Sequence, residues 1–403
     1  VTARSPEDFG RAVVGPVVAE FCLRLWNLAR LIDEPGDTTM LFCARGGLPM
    51  LAAYERFLVS TGLESPVRAV PLMTSRLTAT RPALAPALRG DAPFAPAGAA
   101  TLFYEFSKST NAQTVKALSG FELDASVPGA HDLTTPESLL NVLVRDEALE
   151  ARAEILRQSD RFDAHLRGAA GGANHVMLVD TGLHGTTGLL VAEGFPDLRV
   201  SSALIARIHR PLRGAPDVPT HGLLEHSNGY SPLRRRSVLL RYWHFVEWLF
   251  EPELPSVRRF DDIDGAIVSN LEQIKGWQEK ALPAKGSILA GAFAYLERDL
   301  KGATAERVLT DAPHAWRELS RAIVWPTADD ARVLDVGTRS HDFGREGTWT
   351  ARQWQGPVAA LKGSVMWREG EIARASTPLR LPLLAAIELG YGARPVLRKV
   401  RRA

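Results

Sequence analysis

A chain of 403 residues with 45% hydrophobic and 23% charged side chains has a globular composition, and its length points to two domains rather than one small core. Its 48 Lys and Arg against 46 Asp and Glu leave a formal net charge of +2, too small a field to argue for nucleic acid or an anionic membrane. The basic clusters "LRRRS" (233–237) and "RPVLRKVRRA" (394–403) read as solvated surface. Cys22 and Cys43, far apart in apolar surroundings, read as buried thiols of a reduced compartment rather than a disulfide or zinc framework.

Residues 9–34 carry apolar side chains at helical spacing, with Pro16 at a start or kink. The stretch 12–31 comes nearest to a membrane span, but Glu20 and Arg24 interrupt it. No basic leader or small-residue cleavage site accompanies it, so the expected location is cytoplasmic, with no membrane partner. "TTMLFCA" (38–44) reads as a buried strand, 45–62 as a Gly-rich turn opening a helix, and 66–73 as the next strand, ending at "TSR". A strand–helix–strand unit of this length marks parallel α/β architecture.

Residues 78–135 are rich in Pro and Ala and read as an inserted loop or lid. Thr135, Pro136 and Glu137 then supply a cap, a first-turn proline and an acidic residue for a helix reaching about residue 170. "HVMLVD" (175–180) is a second strong strand, a helix follows from about 185, and 198–208 is a third. Beyond Pro211 the alternation fades, and 237–251, 261–282, 286–300 and 304–324 all read as helices. The expectation is an α/β domain over 1–215, with a hood or lid insertion at about 78–170, followed by a mostly helical region over 216–403.

Two turns carry chemistry. In "CARGGLPM" (43–50) consecutive glycines let backbone approach a ligand at a helix start, where N–H groups are unpaired, and Arg45 adds a forked cation suited to phosphate. In "VMLVDTGLHGTTG" (176–188) an apolar strand ends on a carboxylate, followed by hydroxyls and glycines. Asp180 can accept from sugar hydroxyls, and Gly185 to Gly188 can wrap a phosphate. Each turn alone also fits ordinary chain reversal. In an open parallel sheet, however, both would face one crevice at the carboxyl ends of the strands.

"LFCARGGLPMLAAY" resembles the pyrophosphate loop of type I phosphoribosyltransferases, and "VMLVDTGLHGTTG" resembles their phosphoribosyl-diphosphate (PRPP) loop. The resemblance implies a Rossmann-like parallel sheet, Mg²⁺ as cofactor, and transfer of phosphoribose from PRPP to a small-molecule acceptor with release of pyrophosphate. The acceptor would be a base, or a hydroxyl or amine of a carbohydrate-like compound. By position it gives Arg45, Gly46 and Gly47 the pyrophosphate, with Arg76 after the next strand as a second cation. Asp180 falls on the ribose, directly or through metal-bound water and without direct metal ligation. Thr181, Gly182, Gly185, Thr186, Thr187 and Gly188 fall on the 5′-phosphate turn. Thr181 stands where the family commonly has a second acidic residue, the Thr-Thr-Gly order is shifted by about one position, and the segment between the loops is unusually long. A homodimer is compatible with this reading.

For proton removal from an acceptor, His184 lies inside the loop. His244 and Glu247, three apart on one helical face, are a second choice, although the dense aromatics of "RYWHFVEWLF" favour a core role for them. Tyr104 and Glu105 are further candidates. Asp262 and Asp264 in "DDIDG" imitate a DxD metal motif but read as charges capping a helix start, and His221 and His226 are too few for a zinc site. Two other readings stay open. One is a sugar-phosphate sensor without chemistry, suggested by Thr181. The other is a sugar-kinase-like phosphotransferase, loosely echoed by "DTGLHGTT".

Overall fold

Five strands form one parallel sheet in the order β2-β1-β3-β4-β5: β1 Thr38–Cys43, β2 Arg68–Leu72, β3 His175–Asp180, β4 Arg199–Arg207 and β5 Thr220–His226. The structure is a computed structural model describing residues 4–32, 34–209, 212–340, 348–350, 365–375 and 378–400. In register, Leu41 lies between Val70 and Leu178, and Asp180 at the end of β3 faces Leu204 of β4. β1 is buried along its whole length, and β3 to its last residue. That is why both read as unbroken apolar runs: helices cover both faces of the sheet.

The alternation of side chains along each strand divides the core. Met40, Phe42, Met177, Val179, Ala203 and Ile205 point to one face. They meet the N-terminal helical stretch Pro6–Arg30, the helix Gly47–Thr61 and residues of the later helical region such as Phe245 and Leu319. Leu41, Val176 and Leu178 point to the other, against Phe162 and Leu166 of the helix Leu149–Ala170 and Leu190 of the helix Thr186–Gly194. The stretch Pro6–Arg30 is long and apolar enough to cross a membrane by length and composition, and most of it is buried in this core. Glu20, which interrupts its apolar run, is fully buried and accepts from Trp316 Nε1 at 2.7 Å, Arg24 Nε at 2.8 Å and Arg236 Nη2 at 2.5 Å. Both cysteines are buried free thiols.

Five expectations change, the first being the helix expected from Thr135 to about residue 170, which divides into Pro136–Leu143 and Leu149–Ala170. Residues 78–135 are largely helical, with helices Arg76–Arg89, Pro96–Phe106 and Asn111–Ser119, the first and third each opened by a capping box. Alanine carries these helices, and Pro82 and Pro86, four apart, confine the missing N–H donors to one face of the first. With the helices Pro136–Leu143 and Leu149–Ala170 they enclose a core of their own around Leu84, Leu102, Phe106, Leu139 and Ile155.

The segment 261–282 is not one helix. It begins in the hairpin Phe260–Ile263 and Ala266–Ser269, turned by Asp264 and Gly265 at φ 53° and 81°, and later holds only the short helix Trp277–Lys280. Asp-Gly is the dipeptide that a two-residue hairpin turn demands. Asp262, whose carboxylate accepts from Gly265 N at 3.0 Å, therefore belongs to a turn rather than a helix cap. The sheet also continues past residue 215, because β5 pairs with β4. Finally, 237–251 divides into a 3-10 turn, Arg235–Leu240, and the helix Trp243–Leu249. In the basic cluster at its start Arg234 and Arg235 are exposed, as read; the tail residues 401–403 lie outside the described residues.

Candidate functional site

The chain leaves β1 toward β2 on one side and later returns to β3 on the other, so the ends of β1 and β3 flank the point where strand order reverses. Loops leaving the carboxyl ends of two such strands diverge and open a crevice between them. Here the crevice is a cavity of about 600 Å³ bordered by both motif turns. Arg45 and Gly46 follow β1; Asp180 ends β3, and Thr181, Gly182, His184, Gly185, Thr186 and Thr187 follow it; Arg76 follows β2.

Three helices begin at this cavity. Gly46 and Gly185 are the N-caps of Gly47–Thr61 and Thr186–Gly194, and neither helix has a side-chain cap. A glycine cap leaves first-turn N–H groups for another acceptor, and the positive helix ends favour an anion. The third helix, Arg76–Arg89, is capped by Ser75, whose Oγ also donates to Val257 O at 2.6 Å. Gly182 (φ 103°) and Gly185 (φ 69°) take left-handed backbone that shapes the turn around the cavity.

Gly47 and Gly188 do not border it. A Cβ on Gly47 would stand 2.6 Å from Phe42 C, and one on Gly188 2.3 Å from Ser202 Oγ. Both glycines let a helix lie close against the sheet, which is a packing role instead of the ligand contact expected from sequence.

Asp180 Oδ1 accepts from Thr181 N at 2.7 Å and Thr181 Oγ1 at 3.3 Å. Burial pushes its carboxyl up to about 6; the Thr181 bonds and the Arg76 charge oppose this, and Glu247 adds to it. Arg76 pairs with Glu105 at 2.5 Å and Arg45 with Glu251 at 2.7 Å, so each cation at the cavity carries a carboxylate from another segment. The Ala44–Arg45 peptide is cis. Cys43 borders the cavity, and burial first and then the Asp180 charge push its thiol well above the usual range.

His184 borders the cavity with Nδ1 3.4 Å from Ile208 O. His244 and Glu247 also border it, as do Tyr104 and Glu105. The aromatic helix Trp243–Leu249 is thus two-sided. Phe245 and Val246 are buried in the core and Trp243 is buried at the cavity's edge, whereas His244 and Glu247 face the cavity, a correction to the core role favoured for them. Sequence reasoning missed Thr74, Ser75, Glu251 and Ser256. For Ser75 a signal existed, since Ser-x-x-Thr ahead of Arg76–Arg89 is a helix-start pattern. For Glu251 and Ser256, after the chain's last return to the sheet, there was none.

His221, His226, Asp262 and Asp264 do not border the cavity. Among the described residues no three His, Cys, Asp or Glu side chains gather closely enough to hold a metal on their own. A Mg²⁺ that keeps its waters and binds chiefly through phosphates needs only one protein carboxylate, which Asp180 supplies with an oxygen not engaged by Thr181. The residues at the cavity fit that mode of binding. No protein-family model matches the chain, and no curated protein matches it.

Proposed function

We propose that the chain is a phosphoribosyltransferase, moving 5-phosphoribose from PRPP to a small-molecule acceptor and releasing pyrophosphate. One observation carries the reading. The Arg-Gly turn after β1 and the Asp-Thr-Gly turn after β3 border a single cavity at the switch point of a parallel sheet, with uncapped helix starts on both sides. A pentose with phosphate at both ends needs that arrangement.

Breaking the anomeric bond of PRPP puts negative charge on the departing diphosphate. Fixed donors aimed at that charge lower the barrier, one donor contributing on the order of 10²–10³ in rate. In this reading Arg45, Arg76 and the N–H groups behind Gly46 receive the diphosphate. Asp180 accepts from the ribose hydroxyls. The turn from Gly185 to Thr187 holds the 5′-phosphate with N–H and hydroxyl donors, each charge-assisted bond contributing about 1.5–3 kcal/mol. Asp180, through metal-bound water, would help to hold Mg²⁺, which would supply charge neutralisation for the leaving group when bound.

A binding-only reading has one observation in its favour: Thr181 occupies the second acidic position and spends its N–H and hydroxyl on Asp180 itself. Titrating PRPP with Mg²⁺ into the protein by calorimetry, together with a pyrophosphate-release assay, separates the two. Binding with turnover supports the transferase, and binding without turnover the sensor. Absence of binding overturns both.

A further inference from the structure

The helix Trp243–Leu249 and the segment that follows it also border the cavity, and Glu251 in that segment meets Arg45 of the turn after β1. The helix's buried residues lock its orientation: Phe245 and Val246 pack into the main core, leaving His244 and Glu247, one helical turn apart, toward the cavity. The His244 side chain is 40% exposed and that of Glu247 25%, and His244 Nδ1 lies 3.6 Å from Glu247 Oε2. At that distance no hydrogen bond is made; if the contact tightens when substrate arrives, a carboxylate at Nδ1 holds the tautomer that makes Nε2 the basic atom. The pair is also near the proposed ribose anchor, because Glu247 acts electrostatically on Asp180.

We propose that His244 and Glu247 form a general-base pair that takes the proton from the nucleophilic hydroxyl of an uncharged, hydroxyl-bearing acceptor. This rests on the phosphoribosyl reading and goes further by naming the acceptor class. The charges around the cavity select that class. Both cavity arginines sit on the turns after β1 and β2, each ion-paired with a carboxylate, Arg45 with Glu251 and Arg76 with Glu105, while the group beside His244 is the Glu247 carboxylate. A carboxylate or phosphate on the acceptor would meet like charge there. A hydroxyl is neutral, and as a poor nucleophile it requires a base.

The step balances. The acceptor O–H proton passes to His244 Nε2, the oxygen forms the bond to ribose C1, and the bond from C1 to diphosphate breaks with its electron pair leaving on the diphosphate. His244 then returns the proton to water. The charged and titratable groups facing this pair are Asp180 and His184 after β3, Arg45 after β1, Arg76 and Glu105 on the hood side, and Glu251 on its own segment.

The test uses the full chain with PRPP and Mg²⁺. Donor binding is measured by calorimetry, and pyrophosphate release is measured with glucose, myo-inositol and ribitol as hydroxyl acceptors, adenine and uracil as ring-nitrogen acceptors, and orotate as an anionic one. The expected result is release with the hydroxyl group. His244→Gln should slow it on the order of 10²–10⁴-fold while PRPP affinity stays within about threefold, which also reports an intact fold. Glu247→Gln should lower kcat about tenfold or more with KM for the acceptor and PRPP affinity near wild type, and Glu247→Asp should recover part of the loss; a merely structural Glu247 would leave kcat in place. Release confined to adenine, uracil or orotate overturns the proposal. So does an unslowed His244→Gln, or PRPP binding with no release from any acceptor. Failure of the wild-type chain to bind PRPP is a different result, overturning the donor reading and this proposal with it.

Discussion

Arg45, on the turn after β1, and Glu251, just beyond the helix Trp243–Leu249, meet at 2.7 Å with side chains only 12% and 13% exposed. The cation best placed for a diphosphate is therefore already holding a carboxylate from a distant part of the chain. Glu251→Gln should cost about 1–2 kcal/mol of stability, less than a fully buried pair because the cavity admits water. It should also tighten pyrophosphate binding about tenfold, as the competing carboxylate is gone. Calorimetric titration with pyrophosphate checks this, and weaker binding would mean that Glu251 positions Arg45 instead of competing for its ligand.

Asp180 gives a pH signature. Its carboxyl is pushed up to about 6 by burial, whereas an unfolded Asp loses its proton near ~4. The folded state thus holds the proton longer, and this group makes stability fall as pH rises from about 4 to about 6. Asp180→Asn should flatten that slope and raise stability at pH 7 by about 1–3 kcal/mol, since the carboxyl is only partly withdrawn from water. The same variant should weaken PRPP binding tenfold or more. Denaturation at several pH values checks the first effect and calorimetry the second.

Arg76→Gln removes a cation whose partner, Glu105, sits on the helix Pro96–Phe106. Pyrophosphate affinity should fall about 10- to 100-fold, the size of one charge-assisted contact. An affinity unchanged within error in that titration would take Arg76 out of the site.

Glu20 is the stability test away from the cavity. Glu20→Ala leaves Trp316 Nε1 without its acceptor and removes the carboxylate that Arg24 and Arg236 share. A loss of about 3 kcal/mol is expected. Urea denaturation measures it, and a loss under about 1 kcal/mol would show the cluster to be incidental.

The strands were legible because parallel strands covered on both faces leave runs such as "TTMLFC" and "HVMLV" that no helix period imitates. The two turns were legible because approach of backbone to a ligand and tight helix–sheet packing both demand glycine. That shared demand is also why Gly47 and Gly188 were read as ligand contacts when they serve packing. The helices of residues 76–119 were hidden by prolines that outweighed alanine in a local reading. The hairpin at 260–269 was hidden because "DDIDGAIVSNLEQI" contains enough helical spacing to mask its Asp-Gly turn. The cavity face of His244 and Glu247 was hidden by the apolar residues between them, Phe245 and Val246, which belong to the opposite side of the same short helix.

The place of β5 governs how the protein can be dissected. A fragment ending near residue 215 would strip β5 from β4 and bare a row of unpaired N–H and C=O groups along a strand whose interior is wholly buried. Such an edge is a template for self-association. It would also delete the segment that supplies Glu251 and Phe245. Preparing the first half alone would therefore yield aggregate instead of a smaller working unit, and the helical half is best regarded as the missing side of the first.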